Sequence, residues 1–274
     1  MGRNIVSKLG LIAGNGRFPK IFAQAAKKMG HEVVMIAIRN ETLESITTSV
    51  DKVYWVQIGE LQKVIDILKQ EKIENVVMAG KIRKTVIFSR DLKLDDRSRK
   101  LFQSLVNNND DSILKAYVDE LQKEGLTILD SITYIDNLLP KEGNLTSLEP
   151  DAQDLADIEY GWERAKTIAG MDIGQTIIVK NKAVIAVEAI EGTDDTIKRA
   201  GKLSGGGIVV VKVAKPNQDK RFDVPVIGLD TIKLLIHVKA RAIVIDAEKT
   251  IFLDREKSII LAEKNNLKII ARKK

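Results

Sequence analysis

From Ala186 to Ile232 the chain reads AVEAIEGTDDTIKRAGKLSGGGIVVVKVAKPNQDKRFDVPVIGLDTI, with carboxylates, lysines and glycine turns crowded between apolar runs. Glu188, Glu191, Asp194, Asp219, Asp223 and Asp230 supply the acids, and Lys212, Lys215, Lys220 and Arg221 the cations. Phosphoryl chemistry needs both kinds: cations against the oxygens on which charge develops, and a carboxylate that holds a metal or orients a water. The mixture points to metal-assisted phosphate chemistry. The same composition also serves ordinary loops, where Asp, Lys and Gly make turns, caps and soluble surface. The composition of the segment leaves both readings open.

Position separates these acids. Asp219 and Asp223 flank Lys220–Arg221 immediately before VPVIG, and a strand entering the core there would hold Asp223 rigidly. Asp223 is the first choice for the essential carboxylate, with a strand-start turn as its alternative role. Glu188 lies in the strand-like run VIAVEAI, where a buried carboxylate is costly unless paired or bound to a cation. Glu191, Gly192, Thr193 and Asp194 form a turn before DTIKRAG. Thr193 or Asp194 is a candidate N-cap, and a helix start beside a carboxylate also attracts phosphate.

Two further loops stand near the front. AGNGRFP follows the first strand pattern, so Gly14, Asn15 and Gly16 can bring backbone N–H groups and a helix start close to phosphate; a plain tight turn is the alternative. Phe18 and Pro19 stand where a dinucleotide fingerprint carries its third glycine, which argues against NAD. AGKIRK, residues 79–84, ends another strand, at the carboxyl edge where ligands gather in open parallel sheets. Lys81 and Arg83 can clamp phosphate there, or the loop is simply solvated. Asp110 and Asp111 open a helical pattern, and capping explains them.

Composition limits the chemistry. There is no cysteine among 274 residues, which removes disulfides, thiolate nucleophiles and Cys-ligated metals. His31 and His237 are the only imidazoles and stand far apart in sequence, so a Ser-His-Asp triad or a His-rich metal centre has little support. Any metal is held by oxygen, which favours magnesium or manganese. The net charge of +6 favours anionic partners, while 4% aromatic residues with no basic–aromatic surface argues against nucleic acid. No signal-peptide pattern and no apolar run of about 20 residues is present, so a cytoplasmic protein is expected.

These side chains need a scaffold. VSKLGLIAG, HEVVMIAIR, VDKVYWVQI and ENVVMAG read as strands; RFPKIFAQAAKKMG, with Ile21, Phe22, Ala25, Ala26 and Met29 at helical spacing, and LQKVIDILKQEKI read as helices. This alternation predicts an α/β fold with an N-terminal Rossmann-like parallel-sheet domain over 1–136. Residues 137–150, NLLPKEGNLTSLEP, read as a linker. Over 151–274 a mixed α/β catalytic domain is expected. It opens on a helix with Leu155, Ile158, Trp162, Ala165 and Ile168 or Ala169 on one face; TIIVKNKAVIAVEAI then reads as a hairpin, followed by strands IVVVKVA, VPVIG, AIVIDA and KIIAR.

EAIEGTD, VVKVAKP, QDKRFDVP and the following IG, with LGLIAGNGRFP, AGKIRK, DDSILKAYVDELQKEG and DIGQTIIV, occur in the order in which the LpxI family carries them. The chain resembles that family over nearly its whole length. The resemblance implies hydrolysis of UDP-2,3-diacylglucosamine to UMP and 2,3-diacylglucosamine 1-phosphate, with water attacking the sugar-linked phosphorus, a divalent cation required, and a dimeric enzyme. It supports Asp223, within RFDVP, as the essential carboxylate. Asp219, Lys215 and Arg221 join it as catalytic residues; Gly14, Asn15, Gly16, Lys81, Arg83, Thr193 and Lys212 bind substrate; Asp223, Glu191 and Asp194 hold Mg2+ or Mn2+. The two acyl chains call for an apolar groove, and the basic surface suits peripheral contact with the inner face of the inner membrane. Leu229, Asp230, Asn217 and Asp246 depart from the family pattern, in loop conformation more than in reaction type. Two other classes remain: a nucleotide-sugar or dinucleotide-dependent oxidoreductase on the first domain, and a non-catalytic phosphate or nucleic-acid binding protein.

Overall fold

The computed structural model describes residues 7–83, 92–105 and 111–273, with the backbone of Asp110. Lys84 of AGKIRK and the capping role of the Asp110 side chain lie outside the described residues. The chain divides into two compact units. One takes the described residues up to Asp136 together with Asp219–Asp223; the other takes Asn137–Gln218 and Val224 onward.

The first unit alternates strands and helices: β1 (Lys8–Ala13), α1 (Phe18–Lys28), β2 (Glu32–Ile38), β3 (Lys52–Val56), α2 (Leu61–Gln70), β4 (Asn75–Ala79), α3 (Asp96–Ser104), α4 (Asp110–Lys123) and β5 (Thr127–Ile128). Its five strands are all parallel, in the order β3-β2-β1-β4-β5. Strands buried on both faces lose polar alternation, which is why β1 and β2 read as unbroken apolar runs. Ile12, Val34, Ile36 and Val76 face Leu61, Ile65 and Leu68 of α2, Leu101 of α3 and Val118 and Leu121 of α4. The alternate residues Leu11, Val33 and Met35 are equally buried, and α1 packs on β1, β2 and β4 with Phe22 and Ala26 fully buried. Gly10 lets α2 approach the sheet: a Cβ there would stand 2.9 Å from Leu68 Cδ2.

The second unit contains β6 (Gly143–Asn144), α5 (Ala152–Gly170), β7 (Thr176–Lys180), β8 (Ala183–Val187), α6 (Thr193–Ser204), β9 (Val209–Lys212), β10 (Val226–Ile227), α7 (Leu229–His237), β11 (Ala242–Asp246), β12 (Ile251–Phe252), α8 (Arg255–Lys264) and β13 (Lys268–Arg272). Its six-stranded sheet is mixed, in the order β6-β13-β11-β9-β7-β8, with β13, β11 and β9 parallel and the rest antiparallel. β10 and β12 form a separate parallel pair. The β7–β8 hairpin turns on Asn181 and Lys182, both at positive φ, as a tight two-residue turn requires.

One face of this sheet carries Ile158, Trp162, Ala165 and Ala169 of α5 against Val209, Val211 and Val244; the other packs against α6, α7 and α8. Leu155, expected on the buried face of α5, is instead 53% exposed. The first turns of α5 bury charge: Asp154 and Asp157 are both fully buried, Lys268 donates to Asp154 at 2.7 Å and Arg241 to Asp157 at 2.7 Å. Residues 137–150, expected as a linker, fall within this unit, where β6 pairs with β13 and Thr146 is buried.

Candidate functional site

At the carboxyl edge of the parallel sheet, the loops after β1, β2 and β4 are laced together. Successive strands are added to one side of β1 as far as β3 and to the other side from β4 on, so the strand order switches between β1 and β4, the place where open parallel sheets leave a crevice for ligand. The Gly14 N–H donates to Ala79 O at 2.8 Å and the Asn15 N–H to Lys81 O at 2.7 Å, with the Lys81 N–H returning to Asn15 O at 3.1 Å. This backbone bridge leaves no room for side chains: a Cβ on Gly14 would stand 2.6 Å from Lys81 O, and one on Gly80, at φ +87°, 2.8 Å from Asn15 O. Gly16 also has positive φ, +94°, but a Cβ there meets nothing within 4 Å. α1 starts next to it with Pro19 in its first turn and no side-chain cap.

Arg83 reaches back to the loop after β2. Its Nε donates to Glu41 at 2.9 Å and its Nη2 to Asn40 O at 3.0 Å, while the Asn15 side-chain amide donates to Glu41 O at 3.0 Å. Glu41 is only 3% exposed. Gly14, Asn15, Gly16, Lys81 and Arg83 are thus brought to one edge. Sequence reasoning missed Glu41; the signal was its place in RNET, directly after a strand that had to end on that same edge.

The segment Asp219–Asp223 clusters with the first unit rather than with the second half of the chain. Its anchor is Phe222, 4% exposed within the core of α2, α3 and α4. Ser131 fastens the backbone, its N–H donating to Lys220 O at 2.7 Å and its hydroxyl lying 2.9 Å from Arg221 O and 2.7 Å from Met78 O. Arg221 forks onto Asp219, Nε to Oδ1 at 3.0 Å and Nη2 to Oδ2 at 2.6 Å. Hydrogen bonds from this guanidinium hold the Asp219 carboxyl below the usual range. Asp219 is therefore engaged in orienting Arg221. Asp223 follows, exposed and left-handed at φ +55°, a conformation that Asp adopts more readily than most residues and that clusters at functional positions.

In the second unit the strand ends are tied by side chains. Lys212, closing β9, donates to the Thr193 hydroxyl at 2.8 Å, and that hydroxyl donates to Glu188 at 2.9 Å. Glu188 and Lys212 are both buried. Thr193 is the first residue of α6, behind Gly192 as N-cap, so its hydroxyl serves this relay instead of capping. Lys215, 6% exposed, pairs with Asp172 at 2.5 Å. Lys166 pairs with buried Asp246, which also accepts from the Ala214 N–H at 3.1 Å. Asp172 was not singled out from the sequence, although it opens the DIGQTIIV motif. Glu191 accepts from Arg199 at 2.6 Å and from the Thr196 hydroxyl at 3.2 Å. Burial pushes its carboxyl up, but hydrogen bonds from its own backbone N–H and from Arg199 outweigh this and hold it low. Asp194 lies in the first turn of α6.

Glu191 and Asp194 belong to the second unit and Asp223 to the first. Among the described residues no three His, Asp or Glu side chains gather closely enough to hold a metal ion. The donor set does not form a protein-built cage.

Comparison with known proteins covers nearly the whole chain. The LpxI N-terminal domain family matches residues 8–138 and the LpxI C-terminal domain family residues 141–270. The UDP-2,3-diacylglucosamine pyrophosphatase LpxI of Caulobacter vibrioides is 30% identical over 276 aligned positions, covering 96% of each chain. Among solved structures, a Rhizobium etli pyruvate carboxylase bound to acetyl coenzyme A (TM-score 0.30, 16% identity) aligns over 66% of this chain and 16% of its own. A biotin carboxylase domain of a thermophilic 2-oxoglutarate carboxylase bound to ADP (TM-score 0.29, 12% identity) aligns over 62% of this chain and 34% of its own. At such scores neither structure bears on fold or function. With both family domains matched end to end, the chain belongs to the LpxI family.

Proposed function

We propose that the protein hydrolyses the diphosphate bond of UDP-2,3-diacylglucosamine, giving UMP and 2,3-diacylglucosamine 1-phosphate in lipid A synthesis. The end-to-end match to a pyrophosphatase of that substrate carries the reading. The parallel order β3-β2-β1-β4-β5, with its switch between β1 and β4 beside two glycine loops, supports a Rossmann-like unit that binds the uridine nucleotide. The Gly14 and Asn15 N–H groups are spent on the bridge to β4, so it is the uncapped start of α1 after Gly16 that suits phosphate, with Lys81 and Arg83 on the same edge. Glu41 fixes the Arg83 guanidinium in place. Phe18 and Pro19, both buried where a dinucleotide site needs its third glycine, disfavour the oxidoreductase reading.

In the proposed reaction water adds to the sugar-linked phosphorus, the P–O bond to UMP breaks, and the proton lost by water passes to a carboxylate. Asp223 is the proposed base, held in a left-handed turn between buried Phe222 and buried Pro225. Arg221, fixed by Asp219, is proposed as a cation for the phosphates, as are Lys212 with Thr193, and Lys215. Asp223, or Glu191 and Asp194, would hold Mg2+ or Mn2+, which would supply neutralisation of the phosphate charge. The enzyme is further proposed to be a cytoplasmic homodimer in peripheral contact with the inner membrane. No helix among the described residues is long and apolar enough to cross a membrane.

The test is release of UMP and lipid phosphate by purified protein with magnesium, manganese or chelator, and with Asp223→Ala. Metal-dependent turnover that disappears in the variant is expected. Absence of turnover with every metal would end the reading.

A further inference from the structure

The helix pair α7–α8 carries a surface that none of the proposed chemistry uses. Between the two helices runs a groove of about 310 Å³ lined by Leu229, Ile260 and Leu261 and by Lys233, Lys257 and Lys264. Helical spacing explains the lining. Lys257, Ile260 and Lys264 stand at i, i+3 and i+7 on α8, and Leu229 and Lys233 one turn apart on α7, while Ile232, Leu235, Ser258 and Ala262 turn inward. Ile260 is left 54% exposed. No carboxylate lines the groove. Lys233 pairs loosely with Asp230 at 3.8 Å, and neither Lys257 nor Lys264 forms an ion pair among the described residues.

An apolar floor under three ammonium groups complements one surface above others. In an anionic bilayer, phosphates lie at the headgroup level and hydrocarbon just beneath, and lysine stems span the two. We infer that the α7–α8 face docks on anionic lipid headgroups and holds the enzyme on the membrane that carries its substrate. This rests on the proposed reaction, because a diacylated nucleotide resides in a bilayer. α7 begins six residues after Asp223, so the docked face adjoins in sequence the segment assigned to catalysis. Asp230, in the first turn of α7 beside Lys233, weakens the local cation charge.

The experiment uses the full chain and sedimentation with vesicles of phosphatidylcholine alone or with 30% phosphatidylglycerol. Wild type binds the anionic vesicles, and salt releases it. Reversing Lys233, Lys257 and Lys264 to Glu lowers partitioning about 100-fold or more, each lysine near such a surface being worth roughly fivefold. Reversing Lys28, Lys63 and Lys123 changes net charge equally and has a much smaller effect. Ile260→Ser weakens binding without altering salt dependence. Equal losses in both triple variants, or no anionic preference in wild type, overturn the inference. So does a concentration-dependent dimer in sedimentation velocity that Ile260→Ser dissociates, which would assign the face to a second copy. Turnover on substrate dispersed in neutral detergent separates the two readings. If it persists in the Lys233, Lys257, Lys264 variant while vesicle activity falls, both stand; turnover without lysine-dependent binding removes docking alone; lysine-dependent binding without turnover removes the reaction alone.

Discussion

The two sheets end in edges built by different means. At the parallel sheet the loops after β1 and β4 are joined backbone to backbone, with glycine where any side chain would collide. At the mixed sheet the joints are side chains: Lys212 to Thr193 to Glu188, Lys215 to Asp172, Lys166 to Asp246. The difference teaches where each edge is vulnerable. A backbone joint survives loss of neighbouring charge but not an added methyl, whereas a buried ion pair survives small changes in shape but not loss of one partner.

Asp223 tests whether chemistry sits with the first kind of edge. Asp223→Asn keeps a residue suited to φ +55° and removes the charge. Turnover is expected to fall by roughly 10²–10⁴-fold with little change in urea midpoint. A variant with near wild-type turnover would move the base elsewhere. Gly80→Ala and Gly14→Ala should each cost about 3 kcal/mol in urea unfolding, because the new Cβ meets a backbone oxygen. Gly16→Ala should cost only about 1 kcal/mol, for its φ alone. Equal costs at the three glycines would break the backbone account of this edge.

For the mixed sheet, Asp172→Asn leaves the Lys215 ammonium buried and should cost about 3 kcal/mol. Adding Lys215→Met should recover at least half of that, and a double-mutant cycle measures it. Additive losses would mean the pair is not coupled. The smallest effect is expected at the amino end of the parallel sheet, where Lys52, Tyr54 and Lys8 hydrogen-bond Glu71 and hold its carboxyl down at about 2. A lowered folded-state value means stability that is full above the unfolded value near pH 4.5 and is lost as pH falls towards 2. Glu71→Gln should cost about 1 kcal/mol at pH 7 and flatten the acid limb of the stability curve.

Local patterns carried much of this architecture in the sequence. β1 through β4, α1 and α2 follow from apolar periodicity, and the β7–β8 hairpin from two runs too close to be joined otherwise, although its turn falls on Asn181–Lys182, one residue past the Lys180–Asn181 pair the sequence suggests. The glycine loops were legible as loops, yet their joining was not, since the Asn15–Lys81 bridge depends on which strands become neighbours. Leu155 misled because its spacing fits the apolar face, while Asp154 and Asp157 take the interior by pairing with Lys268 of β13 and with Arg241 just before β11. Glu41 and Asp172 are ordinary loop acids until the cations that face them are placed. Phe222 lies in a stretch rich in Asp and Lys, and nothing nearby in sequence reveals that its ring belongs with α2 and α4.

That last placement bears on how the chain is made. Phe222 leaves the ribosome 86 residues after Asp136, about 4–17 s later at ordinary synthesis rates. During that interval the first-made strands and helices lack the ring that completes their interior and the Lys220 and Arg221 carbonyls that Ser131 bonds. The amino-terminal half is thus born with an open apolar socket, and only well after that half has been made does the chain supply the plug.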